Sequence, residues 1–207
     1  MSAVTIIGAG GLGGAVAGLA TKAGADLQVL ARDSEKAAAV ATPLNGTAGR
    51  IGDEITGDIV VVALPYAAVE GVLGNYADAL DGKTIVDVTN PLDFETFDSL
   101  VVPADSSAAA IFQAQIPQAH VVKAFNVNFG ATISSGQTGS VTTTVLAAGD
   151  DAAAKKAVLD LAEAAGLNTV DAGSLKRARE LEAVGFLQLT LAASQKISWT
   201  GGFALQN

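Results

Sequence analysis

Cysteine is absent from this 207-residue chain, which excludes a thiol nucleophile, a thiolate metal centre and any disulfide framework. Histidine occurs once, at His120, so a multi-histidine metal site is excluded too and no metal is expected. Basic residues are scarce: 12 Lys and Arg against 21 Asp and Glu give a formal charge of −9 and a pI near 4.4. That balance argues against nucleic-acid and anionic-membrane partners, both of which need clustered positive charge. Long apolar runs are missing as well, since Gly, Asp or Lys interrupts each one short of the ~18 residues of a membrane span. The opening MSAVTIIGAGG carries no basic region of the kind that begins a signal peptide, and a mature cytoplasmic protein is expected.

What the chain does have is an apolar half, with 50% hydrophobic and 16% charged residues. A chain of this size can bury roughly 70% of its unfolded surface without staples. Short β-branched runs alternate with Ala-rich stretches, the pattern of a parallel sheet covered by helices. Strands are expected near Ala3–Ile7, Leu27–Leu30, Ile59–Ala63, Thr84–Val88, Val121–Ala124, Thr142–Ala147 and Thr169–Asp171. Helices are expected over Leu12–Ala23, from Ser34, after Pro65, over Ser106–Ile116 and Asp151–Ala165, and from Ser174 to about Lys196. Gly24, Gly82 and Gly166 stand where left-handed caps would end helices. Asp93–Asp105 reads as an acidic irregular loop and Ser134–Ser140 as a turn region. The expected architecture is one α/β dinucleotide-binding domain over residues 1–207: a Rossmann-like, doubly wound, mostly parallel sheet, with 174–207 as a small C-terminal helical excursion and tail.

The first strand runs into Gly8-Ala9-Gly10-Gly11-Leu12-Gly13-Gly14 and then a helix, which is G-x-G-x-x-G in its required context. Gly8 permits the turn, Gly10 lets the backbone approach a pyrophosphate, and Gly13 lets helix and strand pack closely. The anion would sit at the helix N-terminus. At the end of the second strand the chain reads Ala31-Arg32-Asp33-Ser34-Glu35-Lys36. Arg32 and Lys36 there fit a 2′-phosphate and favour NADP. The other reading makes both solvated helix-start residues, with Asp33 holding the ribose of NAD.

Acid–base candidates are few. No Tyr-x-x-x-Lys pair occurs, and His120 reads as an exposed or capping residue. Lys123 lies in an apolar strand, where it could pair with Asp87, point out at the strand end, or act in catalysis. The catalytic set is therefore expected to be empty of side chains, with hydride exchange between stacked rings resting on proximity. A pocket for the rings is expected where Ala63-Leu64-Pro65-Tyr66, Thr89-Asn90-Pro91-Leu92 and Ala124-Phe125-Asn126-Val127 meet at the carboxyl edge of the sheet. Asn90 and Asn126 could donate to a ring carbonyl or stabilise turns.

Taken together, GAGGLGG, VLARDSEKA, VVVALPYAAVEGVL, KTIVDVTNPL, HVVKAFNVNFG, AAGDDAAAKKAV and LNTVDAGSLKRARELE resemble the NADPH:coenzyme F420 oxidoreductase family. A related soluble domain occurs in the STEAP-type membrane ferric reductases. The resemblance implies a homodimer and reversible hydride transfer between NADP and a deazaflavin, coenzyme F420, or a flavin. It implies a pyrophosphate site on Ala9, Gly10, Gly11 and Leu12, a 2′-phosphate site on Ala31, Arg32 and Lys36, and a nicotinamide environment of Leu64, Pro65 and Ala124. Where the family often has Ser, this chain has Ala31, so one hydroxyl contact is lost. The tail Trp199–Leu205, ending in Gln206-Asn207, resembles the Gly-containing end that borders the deazaflavin site, although Trp199 fits a packing or subunit-contact role equally. Alternatives are a reductase of a small imine, carbonyl or quinone, and a non-catalytic NADP-binding sensor. The acidity is confined to residues 51–110, with one Lys against eleven acids; a polyanionic deazaflavin tail would have to be directed away from it.

Overall fold

β-branched runs form the centre of the sheet because residues such as Ile59–Val62, IVVV, bury side chains on both faces. A computed structural model describes residues 2–205 of the chain; Met1 and the closing Gln206-Asn207 lie outside the described residues. The strands are β1 (Ala3–Ile7), β2 (Asp26–Ala31), β3 (Thr47–Arg50), β4 (Ile59–Val62), β5 (Thr84–Asp87), β6 (His120–Ala124), β7 (Gln137–Thr138), β8 (Val141–Thr142), β9 (Thr144–Gly149) and β10 (Asn168–Gly173). The helices are α1 (Gly11–Lys22), α2 (Ser34–Ala41), α3 (Tyr66–Asn75), α4 (Ala108–Gln115), α5 (Gly130–Ser135), α6 (Ala152–Ala164) and α7 (Ala178–Ala193).

Among the described residues, eight strands make one sheet in the order β3-β2-β1-β4-β5-β6-β9-β10. Neighbours run parallel except β6 and β9, which are antiparallel. Two apolar layers cover it. One side holds Val16, Ala17, Ala20, Val158 and Ala162 from α1 and α6. The other holds Val69, Leu73 and Phe112 from α3 and α4. This is the doubly wound, mostly parallel α/β fold expected from the sequence. Gly24, Gly82 and Gly166 take the expected left-handed conformation, with φ of +78°, +68° and +86°.

Three elements escape a reading of hydrophobic periodicity. β3, with the sequence TAGR, is an edge strand whose side chains are mostly exposed, and its backbone pairing with β2 has no apolar signature. The Ser134–Ser140 turn region contains the end of α5 and most of a small β7–β8 hairpin. β6 begins one residue earlier than expected, at His120, whose N–H donates to Lys83 O at 2.9 Å.

Two features place the groove. α1 starts directly at the glycine turn, and a Cβ on Gly13 would lie 2.2 Å from Gly8 O, so only glycine allows this approach. α7 lies against the carboxyl edge through polar contacts: Gln188 donates to Val127 O at 2.9 Å, and a Cβ on Gly185 would fall 2.3 Å from Asn90 Oδ1.

Candidate functional site

The carboxyl ends of β1, β2, β4, β5 and β6 open into connected hollows. The first, about 550 Å³, is lined by Gly8, Ala9, Gly10, Ala31, Arg32, Asp33, Lys36, Ala63, Leu64 and Pro65. Gly10, the N-cap of α1, has φ −81° and ψ −178°, and no side chain caps the helix or puts an acid in its first turn. Its free N–H groups and dipole therefore face the hollow without a protein partner. A Cβ on Gly10 or Gly11 would meet nothing within 4 Å, which leaves open space over the helix end. Arg32 and Lys36 are exposed and, among the described residues, make no ion pair. Asp33 is the N-cap of α2, its Oδ1 accepting Glu35 N–H at 2.9 Å. That contact commits one oxygen of the acid that would otherwise serve a ribose. Arg50, at the end of the unforeseen β3, pairs across from Ala31 and adds a third basic residue to this corner.

A second hollow of about 570 Å³ continues from Gly10–Gly13 to Ala63, Leu64, Pro65, Tyr66, Val88, Thr89, Asn90, Phe94 and Leu189. Its lining is apolar apart from Tyr66, Thr89 and Asn90. Burial first, then the fields of Glu182, Glu70 and Asp87, hold the Tyr66 hydroxyl above its ordinary pKa. A third, about 580 Å³, lies beyond Gly11, Leu12 and Asn90 and is walled by Asn126, Asn128, Phe129, Gly130, Ala131, Ser134, Leu189 and Trp199. Trp199 packs on Phe129 at 5.0 Å between ring centroids and is 51% exposed. The tail is pinned by Phe203 N–H, which donates to Gln188 Oε1 at 2.8 Å.

Of the two roles open to the asparagines, the contacts are those of loop stabilisation. Asn90 Nδ2 donates to Asn126 O at 2.7 Å, and Asn126 Nδ2 donates to both Asn90 Oδ1 and Leu181 O, each at 2.9 Å. Two of these amide hydrogens go to main-chain carbonyls and one to Asn90 Oδ1, so the pair braces the loops at this edge. Just before Asn126, Phe125, fully buried, sits at φ +62°, a strained conformation held by its packing. Among the described residues, three buried side-chain atoms without a hydrogen-bond partner, Thr89 Oγ1, Asn126 Oδ1 and Asn128 Oδ1, lie at this edge.

Lys123 is fully buried. Its Nζ lies 2.9 Å from Asp87 Oδ2, 2.9 Å from Glu182 Oε1 and 2.6 Å from Thr89 O. Pairing with Asp87 was one of the alternatives open in the sequence; Glu182, brought from α7, was not foreseen. Glu182 also accepts the N–H groups of Ala108 and Ala109 at the start of α4. Burial pushes its carboxyl above the ordinary glutamate value, against the downward pull of Lys123.

Of the residues singled out in the sequence, Gly8, Ala9, Gly10, Gly11, Leu12, Gly13, Ala31, Arg32, Lys36, Leu64, Pro65 and Asn90 line the connected hollows. Ala124 does not: it is fully buried in the core under the strand end. His120 opens β6 at the opposite edge of the sheet, 3.8 Å from Asp151 Oδ2. Phe94, Asn128, Phe129 and Leu189 were missed; the only signal was a large aromatic, Phe94, in a loop otherwise rich in acids.

The family described as NADP oxidoreductase, coenzyme F420-dependent, matches residues 3–91. An F420-dependent NADP reductase from Methanocaldococcus jannaschii is 32% identical over 149 residues, covering 70% of this chain and 66% of that protein. The chain belongs to the coenzyme F420-dependent NADP oxidoreductase family. A second family relative, the F420-dependent NADP reductase of Methanothermobacter marburgensis, is 29% identical and aligns over 93% of this chain and 94% of its own length. Metalloreductase STEAP3 of Rattus norvegicus is 38% identical over 112 residues, 54% of this chain but 22% of that protein. The fold of this F420-dependent oxidoreductase family member is also that of a crystal structure from Arthrobacter sp., a proposed F420-dependent NADP reductase, with TM-score 0.87, 24% identity and full coverage of both chains. Among the described residues no helix is long and apolar enough to cross a membrane.

Proposed function

We propose that the protein transfers a hydride between NADP(H) and a deazaflavin of the coenzyme F420 type. The observation that carries this reading is the run of hollows from Arg32 and Lys36, past the uncapped start of α1, to the chamber walled by Trp199. Arg32 and Lys36 hold the 2′-phosphate, and the first amides of α1 hold the pyrophosphate. Leu64 and Pro65 pack against the ring end and keep water from it. When bound, NADPH would supply the hydride from its reduced nicotinamide ring, and NADP+ would accept one in the reverse direction. Tyr66, with its raised pKa, stays a neutral hydroxyl at neutral pH. No side chain lining the ring end is poised as an acid or base, so close approach of two rings is the main source of rate.

On this reading residues 1–207 form one dinucleotide-binding domain, and 174–207, through Leu189 and Trp199, complete the site of the second ring. Val184 and Leu187 on the outer side of α7 are exposed apolar side chains, which supports a homodimer, and the cytoplasm is the proposed compartment. The deciding experiment mixes purified protein, NADPH and the oxidised deazaflavin and follows loss of the deazaflavin's absorbance. Turnover with FMN or a small carbonyl but not the deazaflavin would move the assignment to another second substrate. Binding of NADPH with no acceptor reduced would make the protein a sensor.

A further inference from the structure

Behind the ring end of the groove lie three charged side chains that the proposed hydride transfer does not use. Lys123, Asp87 and Glu182 are each buried, with side chains 0 to 1% exposed. One ammonium faces two carboxylates, and Asp87 and Glu182 accept only from donors: Lys123 Nζ, Thr89 N–H, Ala108 N–H and Ala109 N–H. That donor set fits both acids in their ionised form. The N-terminus of α4 offsets part of Glu182's charge, and the cluster keeps a surplus negative charge in a region from which water is excluded.

The cluster is coupled to the chamber in two ways. Lys123 accepts no contact from solvent; it grips Thr89 O, while Asp87 takes Thr89 N–H at 2.8 Å, so both main-chain groups of a chamber-lining residue are tied to it. Its field also reaches the chamber, since Glu182 and Asp87 both act on the Tyr66 hydroxyl. No Lys or Arg lines this part of the groove; the basic residues stand at the phosphate end.

We propose that the Lys123–Asp87–Glu182 cluster sets the groove's preference between the two redox forms of its dinucleotide, favouring the positively charged ring of NADP+ over the uncharged ring of NADPH. The proposal rests on the reading of the groove as an NADP site. Asp87 and Glu182 act through space on the bound ring and through Thr89 on the wall beside it, which makes them positioning residues. A single charge roughly 10 Å away at an effective dielectric constant of about 20 shifts a binding ratio by about tenfold.

The test is calorimetric and needs no turnover. Dissociation constants for NADP+, NADPH and 2′,5′-ADP are measured on wild type, Glu182→Gln, Asp87→Asn and Glu182→Asp, with thermal melting to check folding. Removing either carboxylate charge should raise the NADP+ to NADPH ratio of dissociation constants by about tenfold and leave 2′,5′-ADP, which lacks the ring, unchanged. Glu182→Asp keeps the charge and should keep the ratio. A merely structural role would weaken both dinucleotides alike. An unmoved ratio in Glu182→Gln and Asp87→Asn, or a ratio that moves as far in Glu182→Asp, overturns the proposal. Failure of wild type to bind 2′,5′-ADP and both NADP forms would instead overturn the groove reading, and this proposal with it, a pattern distinct from an unmoved ratio.

Discussion

Two glycines three residues apart should fail in opposite ways when each becomes alanine. At Gly10 the backbone is one any residue adopts, with φ −81°, and an added Cβ meets no atom within 4 Å. The fold should lose only the N-cap preference of Gly over Ala, about 0.5–1 kcal/mol. That methyl, however, would occupy the space proposed for the pyrophosphate over the amides of α1, and displacing charge-assisted hydrogen bonds worth roughly 1.5–3 kcal/mol should weaken NADPH about tenfold to a hundredfold. At Gly13 the Cβ would stand 2.2 Å from Gly8 O and 3.2 Å from the Ala63 Cβ. Backbone cannot yield as a side-chain tip does, so α1 must move off the strand. The strain of about 1–3 kcal/mol or more outweighs the roughly 1 kcal/mol that alanine gains as a helix former. For a chain of this size each kcal/mol is about 2–4 °C of melting temperature, so Gly13→Ala should melt several degrees low. Calorimetric titration with NADPH and scanning calorimetry on both variants read the contrast. Gly10→Ala binding NADPH like wild type would refute the cradle, and Gly13→Ala melting like wild type would refute the contact.

Arg32→Ala should weaken NADPH about tenfold and leave NADH nearly unchanged; equal losses for the two would show that Arg32 does not read the 2′-phosphate. His120→Gln, at the far edge of the sheet, should leave turnover within about threefold, given that surface groups away from the chemistry seldom matter; a loss of several hundredfold would sink the ring-to-ring mechanism. Trp199 is the chain's one tryptophan, so binding of the deazaflavin should quench intrinsic fluorescence, and Trp199→Ala should weaken the deazaflavin more than NADPH. Asp151 accepts Ala154 N–H at 2.7 Å, which with the nearby His120 holds its carboxyl below the ordinary aspartate value. A lowered acid lends stability that is present above the unfolded pKa of about 4 and lost as pH falls through the folded one. Asp151→Asn, which keeps the cap oxygen, should therefore blunt the fall in melting temperature between about pH 5 and 3; an unchanged slope would remove Asp151 from the account.

The centre of the sheet was legible because Ile59–Val62 and Thr84–Val86 are buried on both faces and so read as unbroken runs of β-branched residues. The glycine loop was legible for a different reason: its function depends on backbone geometry that only glycine allows, and the residue type records it directly. β3 was not, since an edge strand with exposed side chains is held by main-chain hydrogen bonds that leave no pattern in residue type. The partnership of Glu182 with Lys123 was beyond reach because it joins α7 to β6, an approach set by tertiary packing alone. Asn90 and Asn126 show the same limit in smaller form. The residues were placed at the right edge, but whether an amide points at a ring or at a carbonyl depends on neighbours as remote as Leu181.

The order of the sheet divides labour along the chain. The hollow proposed for the phosphates, lined from Gly8 to Lys36, and the first wall of the proposed ring chamber, Ala63–Asn90, fall within residues 3–91, the stretch the family match covers. The farther wall comes almost wholly from later residues: Asn126–Ser134 in the segment after β6, Leu189 on α7 and Trp199 in the tail beyond it. Evolution can thus exchange the acceptor by rewriting the second half while the handle for the dinucleotide stays as it is. The same seam tells a protein engineer where to cut: a library confined to the later wall would explore new oxidants against a constant hydride donor.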